Sequence, residues 1–182
     1  MRPAADAELI GPRIVLRAYT RTDALAVWGA IAESRASLAR WTPDIGRRSS
    51  VADVQAGLEQ LEQAHARGER LVYGLWRRED DAFLGEIGLH DIDWDRRVAS
   101  VGYWLRASAR GQGLIDEALE VLQTHASRTL GLWHLEAHIA AENAASRRVV
   151  MRHGYALKRA RSADAQWDGE ASSVLIYGLT PG

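Results

Sequence analysis

Apolar residues recur along this chain at two spacings, and the switch between them outlines its elements. Val51, Val54, Leu58 and Leu61 fall three and four apart, which predicts a helix that starts at Ser50 or Asp53 as cap and ends near Gly68. Ile115, Leu119, Leu122 and Ala126 share one face in the same way and predict a helix over 114–128. Leu25, Trp28 and Ile31 follow a helix start at Thr22 or Asp23, and a second short helical piece over 38–41 is stopped by Pro43. Between these lie runs of the other type. Residues 13–19, 71–76, 83–92, 98–105 and 133–139 read as strands. In the last of these Trp133, Leu135, Ala137 and Ile139 alternate with polar residues, so Trp133 is expected on a buried face. The polar turn at 93–96 joins two strands as a hairpin. Residues 143–153 are expected to be helical, 155–159 extended, and 171–179 a last strand after the Asp168-Gly169 turn. Residues 1–12 read as a loose arm that ends at Gly11-Pro12. Strand–helix–strand units beside hairpins predict an α/β fold: a mixed sheet with helices on both faces.

Composition narrows the function classes. The chain has 182 residues, 47% hydrophobic, a length that suits one domain over 1–182. Its 23 Lys and Arg against 24 Asp and Glu leave a net charge of −1, so there is no footprint for nucleic acid. No apolar run approaches the roughly 18 residues a membrane-spanning helix needs. With no secretory signal pattern and no cysteine, the expectation is a soluble cytoplasmic protein without disulfides or thiolate chemistry. The six histidines show no metal spacing. His134 and His138, on one strand, would lie about 13 Å apart, too far for one zinc, so no metal is expected.

Chemistry concentrates where the strand over 98–105 runs through a basic loop into a helix. Gly111 and Gly113 allow backbone N–H groups to converge, and the helix start adds unpaired donors and a positive dipole. Arg106 and Arg110 supply charge suited to phosphate. The arrangement reads as an anion cradle with pyrophosphate as its natural guest, although the same glycines would serve a plain tight connection. Neither a Walker loop nor the dinucleotide glycine spacing is present.

Arg110-Gly-Gln-Gly113 resembles the acyl-CoA pyrophosphate loop of the general N-acetyltransferase (GNAT) superfamily. Ser100-Val-Gly-Tyr-Trp-Leu105 is similar to the strand that precedes that loop. Asn143-Ala-Ala-Ser146, Val149 and His153-Gly-Tyr155 resemble the helix that follows in the Rim-type ribosomal-protein N-terminal acetyltransferase branch, as do Leu16-Arg-Ala-Tyr19 and Leu38-Ala-Arg-Trp-Thr-Pro43. These blocks keep their order over roughly residues 10 to 180. The superfamily prefers Gly or Ala at the position of Ile115, a departure that fits the Rim-type branch.

The resemblance implies a sheet splayed between its two central parallel strands and acetyl-CoA as cosubstrate. The acceptor it implies is a primary amine, foremost the α-amine of a protein or peptide N-terminus. A small-molecule amine acceptor and a CoA-binding protein without turnover are the alternatives. By the same resemblance the amides of Arg110, Gly111, Gln112, Gly113 and Leu114 hold the pyrophosphate. Asn143 meets pantetheine or the local backbone, unless it merely caps its helix. Val150 stands where many relatives carry a tyrosine acid, and Ser146 is the hydroxyl left to assist the departing thiolate. Glu is absent at Ser100, so the base is sought on the neighbouring strand: His90 first, with Glu86 on the same face and Asp91 on the opposite one. Trp41 is expected to touch the acceptor. Trp94, in a turn, suits a homodimer contact or an acceptor lid. Arg147, Arg148 and Arg152 form a basic patch, one of which could meet the CoA 3′-phosphate.

Overall fold

The computed structural model describes residues 8–161, 166–167, 170–171 and 173–180. In chain order the elements are β1 (Leu9–Ile10), β2 (Ile14–Arg17), α1 (Ala24–Trp41), α2 (Pro43–Gly46), α3 (Val51–Ala66), β3 (Leu71–Arg77), β4 (Phe83–Asp93), β5 (Val98–Leu105), α4 (Leu114–Arg128), β6 (His134–Ala140), α5 (Ala144–Arg152), β7 (Ala156–Arg161), β8 (Gln166–Trp167), β9 (Glu170–Ala171) and β10 (Val174–Leu179). Eight strands form one sheet in the order β1-β2-β3-β4-β5-β6-β10-β7, and β8 pairs with β9. Every neighbouring pair in the sheet is antiparallel except β5 and β6.

The alternation of side chains sends each strand's apolar residues to two cores. On one face Leu16, Leu75, Ile87, Leu89 and Val101 pack with Leu119 and Leu122 of α4 and Val150 of α5. On the other, Val72, Trp76, Phe83 and Trp104 pack with Ile31 and Leu38 of α1 and Val54 and Leu58 of α3.

The one parallel pairing is short. β5 and β6 are in register only at Val98↔His134, Ala99↔Leu135 and Ser100↔Glu136. Beyond Ser100 the strands part. β5 stays paired to β4 as far as Leu105, and β6 to β10 as far as Ala140. Each is held from its outer side, and the inner backbone edges face an open wedge. This is the splay between two central parallel strands that the family resemblance implied.

Several expectations need correction. Leu9 and Ile10 pair with Leu16 and Val15, and the Gly11 N–H donates to the Ile14 carbonyl, so the end of the expected arm is a strand; residues 1–7 lie outside the described residues. α1 continues without a break through Leu38 to Trp41, because Pro43 ends a helix without preventing the turns before it. Its buried stripe is Ala24, Val27, Ala30, Ile31, Ser34 and Leu38, and Leu25 is 70% exposed. Trp133 is 56% exposed: β6 starts one residue later, and the indole N–H donates to the Arg96 carbonyl. The last sheet strand begins at Val174, not 171, and the Asp168-Gly169 turn lies outside the described residues.

Candidate active site

The glycine loop connects the open end of β5 to α4. Gly111 and Gly113 have φ of 72° and 71°, the left-handed region where a side chain is strained, and Gly113 is the N-cap of α4. Among the described residues no backbone or side-chain acceptor takes the N–H of Gly111, Gln112 or Gly113. The end of the loop is held by Arg13, a residue the motif reading missed. Its guanidinium donates to the Gln112 carbonyl at 3.0 Å and the Gly113 carbonyl at 3.3 Å, while its Nε holds Glu117 at 2.8 Å. In a trans peptide the C=O and the next N–H point opposite ways. Tying those two carbonyls to Arg13 therefore turns the N–H groups of Gly113 and Leu114 away from it, as a cradle for an anion requires.

The expected arginines divide. Arg106 does not face the cradle. Its Nε and Nη2 donate to Glu33 on α1, and Nη1 donates to the Phe83 carbonyl. Glu33 also accepts from the Ser108 N–H at 2.6 Å, and the Ser34 hydroxyl accepts from the Ala107 N–H at 2.9 Å. The Arg106 hydrogen bonds are the first cause holding the Glu33 carboxyl down at about 2. Arg106 is thus a brace between the loop and α1. Arg110 bends back to the Leu105 carbonyl, and the Gln112 side chain donates to the Ser108 carbonyl, so both shape the loop from within. Leu114 and Ile115 are buried and anchor the helix start. In the basic patch, Arg147 donates to the Tyr177 hydroxyl and Arg152 to Asp116, while Arg148 is exposed.

Asn143 caps α5: its Oδ1 accepts from the Ser146 N–H at 3.1 Å. The cap fixes Ser146 in the first turn. There its Oγ lies 2.9 Å from the hydroxyl of Tyr103, which stands on the parted stretch of β5. Tyr103 had no role in the sequence reading, although it lies inside the quoted motif. Burial pushes its phenol up to about 12.

On the face toward α1 and α3, Glu86, His90 and Ser100 line the strands beside the wedge. His90 pairs in register with Ser100, and its Nε2 lies 3.0 Å from where a Cβ on Gly102 would sit. A Cβ at 102 would press on the ring, so glycine there leaves the imidazole room to lie across β5. Asp91 is not on the opposite face as expected. A bulge follows His90, Asp91 adopts φ 51°, and its Oδ2 lies 2.9 Å from His90 Nδ1. The carboxylate that alternation sent away thus orients the ring. Glu86 accepts from the Tyr19 hydroxyl at 2.8 Å, and burial pushes its carboxyl up.

Trp41 ends α1 with the Arg40 guanidinium over its ring, and among the described residues nothing joins it to His90 or the loop. Trp94 donates its indole N–H to the Gly68 carbonyl, which ties the β4–β5 turn to the end of α3. No group of His, Asp and Glu suited to a metal occurs among the described residues, and no helix of theirs is long and apolar enough to cross a membrane.

The chain is 30% identical over 94 residues to a ribosomal-protein-serine acetyltransferase of Escherichia coli (strain K12), covering 52% of this chain and 51% of that one. It spans about half the length of the curated relatives it matches. Its fold superposes on the ribosomal L7/L12 alpha-N-protein acetyltransferase RimL in complex with coenzyme A, with a TM-score of 0.90 at 20% identity over 96% of this chain and 98% of that one. A Salmonella typhimurium acetyltransferase that modifies the N-terminal serine of ribosomal protein L7/L12 gives 0.87 at 20% identity, over 96% and 99%. The model of the acetyltransferase (GNAT) domain matches residues 13–156, a stretch that holds the parted strands, the glycine loop and α5, and the chain belongs to that family.

Proposed function

We propose that the protein transfers the acetyl group of acetyl-CoA to the N-terminal α-amine of a protein, and that a ribosomal protein is the class of acceptor. The observation that carries this reading is the wedge between β5 and β6, which ends at a loop with unpaired N–H groups. A thioester on an extended pantetheine arm fits between two parted backbone edges, and a pyrophosphate fits the amides of Gly111, Gln112, Gly113 and Leu114. The match to ribosomal-protein acetyltransferases supports the acceptor class. That acceptor places the work in the cytoplasm.

The amine nitrogen attacks the acetyl carbonyl carbon, and the C–S bond breaks with its electron pair moving to sulfur. His90, oriented by Asp91, takes the proton the nitrogen loses. Ser146 donates a hydrogen bond to the sulfur as its charge develops. Asn143 keeps that serine in place.

The test is release of CoA thiol from acetyl-CoA with three acceptor sets: peptides with a free N-terminal serine, the same peptides N-blocked, and small amines. Turnover confined to the free N-termini is expected. Turnover with small amines alone overturns the acceptor assignment, and binding of acetyl-CoA without release on any acceptor overturns the enzymatic reading.

A further inference from the structure

The wedge is crossed at its mouth by one side-chain contact that the mechanism above does not use. Tyr103 projects from the parted stretch of β5, and Ser146 sits in the first turn of α5, the helix that follows β6. The phenol oxygen lies 2.9 Å from Ser146 Oγ, where either hydroxyl can donate, and 3.2 Å from the Ser146 carbonyl, so its single hydrogen has two acceptors within reach and the nearer is Oγ. Val150, one turn further along α5, is fully buried and carries no hydroxyl. A phenol is therefore delivered to this place by the strand opposite the helix.

We propose that Tyr103 is a positioning residue that acts through Ser146: its O–H donates to Ser146 Oγ and frees the serine hydrogen for the departing CoA sulfur. This rests on the reading of Ser146 as the sulfur's donor. A serine hydroxyl has one hydrogen and two acceptor sites. In the first turn of a helix that hydrogen has competing acceptors, and a hydroxyl commonly turns it back to a carbonyl. With the phenol donating to Oγ, the serine oxygen is already engaged as an acceptor and its hydrogen turns outward. The resulting chain, O–H···O–H···S⁻, polarises each link toward the sulfur.

The chain stabilises the thiolate without surrendering a proton. A phenol pushed up to about 12 is a far weaker acid than a thiol near 8.5, so transfer from Tyr103 to the sulfur runs uphill. The proton that finally neutralises CoA comes from the acceptor nitrogen by way of the base. Asp116 of α4 and Arg152 of α5 bear on the phenol with opposite charges and are paired with each other, so neither ionises it.

The readout is the ionisation of CoA itself. The chain contains no cysteine, so the ultraviolet thiolate signal of a CoA complex comes from the ligand alone. Donors aimed at sulfur lower the thiol pKa of bound CoA. The wild type, Tyr103→Phe, Ser146→Ala and the double variant are titrated with CoA bound, with melting temperatures to confirm folding. Tyr103→Phe should raise the bound thiol pKa by about half a unit to one unit, a threefold to tenfold loss of thiolate stabilisation. The same change should have no further effect in the Ser146→Ala background, because the tyrosine acts through the serine. An unchanged pKa in Tyr103→Phe beside a raised one in Ser146→Ala overturns the proposal and leaves the serine reading standing. An equal rise in both backgrounds also overturns it, since the phenol then acts without the serine. No change in Ser146→Ala removes the serine reading and this inference with it.

Discussion

Glu33 of α1 is the partner of Arg106 at the root of the glycine loop, and this pair joins the cofactor side of the site to the helix that covers its other face. The same carboxylate takes the Ser108 N–H, so one side chain holds both the strand end and the loop. Glu33→Gln keeps the shape and removes the charge. We expect acetyl-CoA KM to rise about threefold to tenfold while kcat changes less, measured with a fixed acceptor peptide. An unchanged KM means the loop holds its form without α1.

The pair also sets a pH dependence. The Glu33 carboxyl is lowered to about 2 from an ordinary 4.5, so it favours the folded state above that ordinary value and loses the effect as pH falls toward 2. The side chains are partly open to water, which reduces the contribution below the full shift. The melting temperature gap between wild type and Glu33→Gln should narrow on going from pH 6 to pH 3. A gap that widens would contradict the sign.

Gly113 sits at φ 71° with room around it, so the backbone and not crowding demands glycine. Gly113→Val forces a β-branched residue into that region at a cost of about 1–2 kcal/mol, and puts a side chain beside the unpaired amides. Calorimetric titration should show acetyl-CoA affinity reduced at least tenfold, about 1.4 kcal/mol. Unchanged affinity in the folded variant would remove the pyrophosphate assignment.

Asp91 holds His90 Nδ1 at 2.9 Å, which leaves Nε2 as the atom for proton transfer. His90→Gln should flatten the acidic limb of the kcat/KM profile. Asp91→Asn should lower kcat by a smaller factor and leave acetyl-CoA KM alone. If the limb survives in His90→Gln against the same acceptor, attention moves to Glu86, whose raised carboxyl lies on the same strand face.

A weak base suits one acceptor more than another. Near pH 7.5 roughly a third of an α-amine is neutral, against about a thousandth of a lysine amine. Paired peptides, one with a free N-terminus and one blocked but bearing lysine, should differ in kcat/KM by at least tenfold in favour of the first. Preference for the lysine peptide would require a stronger base than this site holds.

Asn143 separates capping from ligand contact. Asn143→Ala should cost about 1 kcal/mol of stability, whereas Asn143→Asp keeps an oxygen for the Ser146 N–H. A raised acetyl-CoA KM in Asn143→Asp at unchanged melting temperature would mark a contact with pantetheine; an unchanged KM would leave the residue a cap.

The sequence alone determined what depends on local spacing. The bounds of α3 and α4, the β4–β5 hairpin and the loop between β5 and α4 were legible because apolar periodicity and turn glycines act within a few residues of one another. The phase of α1 was legible only in part: Ile31 is buried and Trp28 packs against the same core, as the spacing predicted, whereas Leu25 faces out and Val27 takes the buried place. Trp133 obeyed the alternation on paper but precedes the first paired residue of β6, so no neighbour buries it. Asp91 left its expected face because a bulge, which depends on the partner strand's register, breaks the period of two. The site divides the same way. Gly111, Gly113, Asn143 and Ser146 announced themselves by motif. Arg13, Glu33 and Tyr103 did not, because each meets its partner across 40 or more positions of sequence. Only packing the two faces of the sheet brings those distant residues together, and no local pattern encodes a contact between chain segments that meet solely in the folded state.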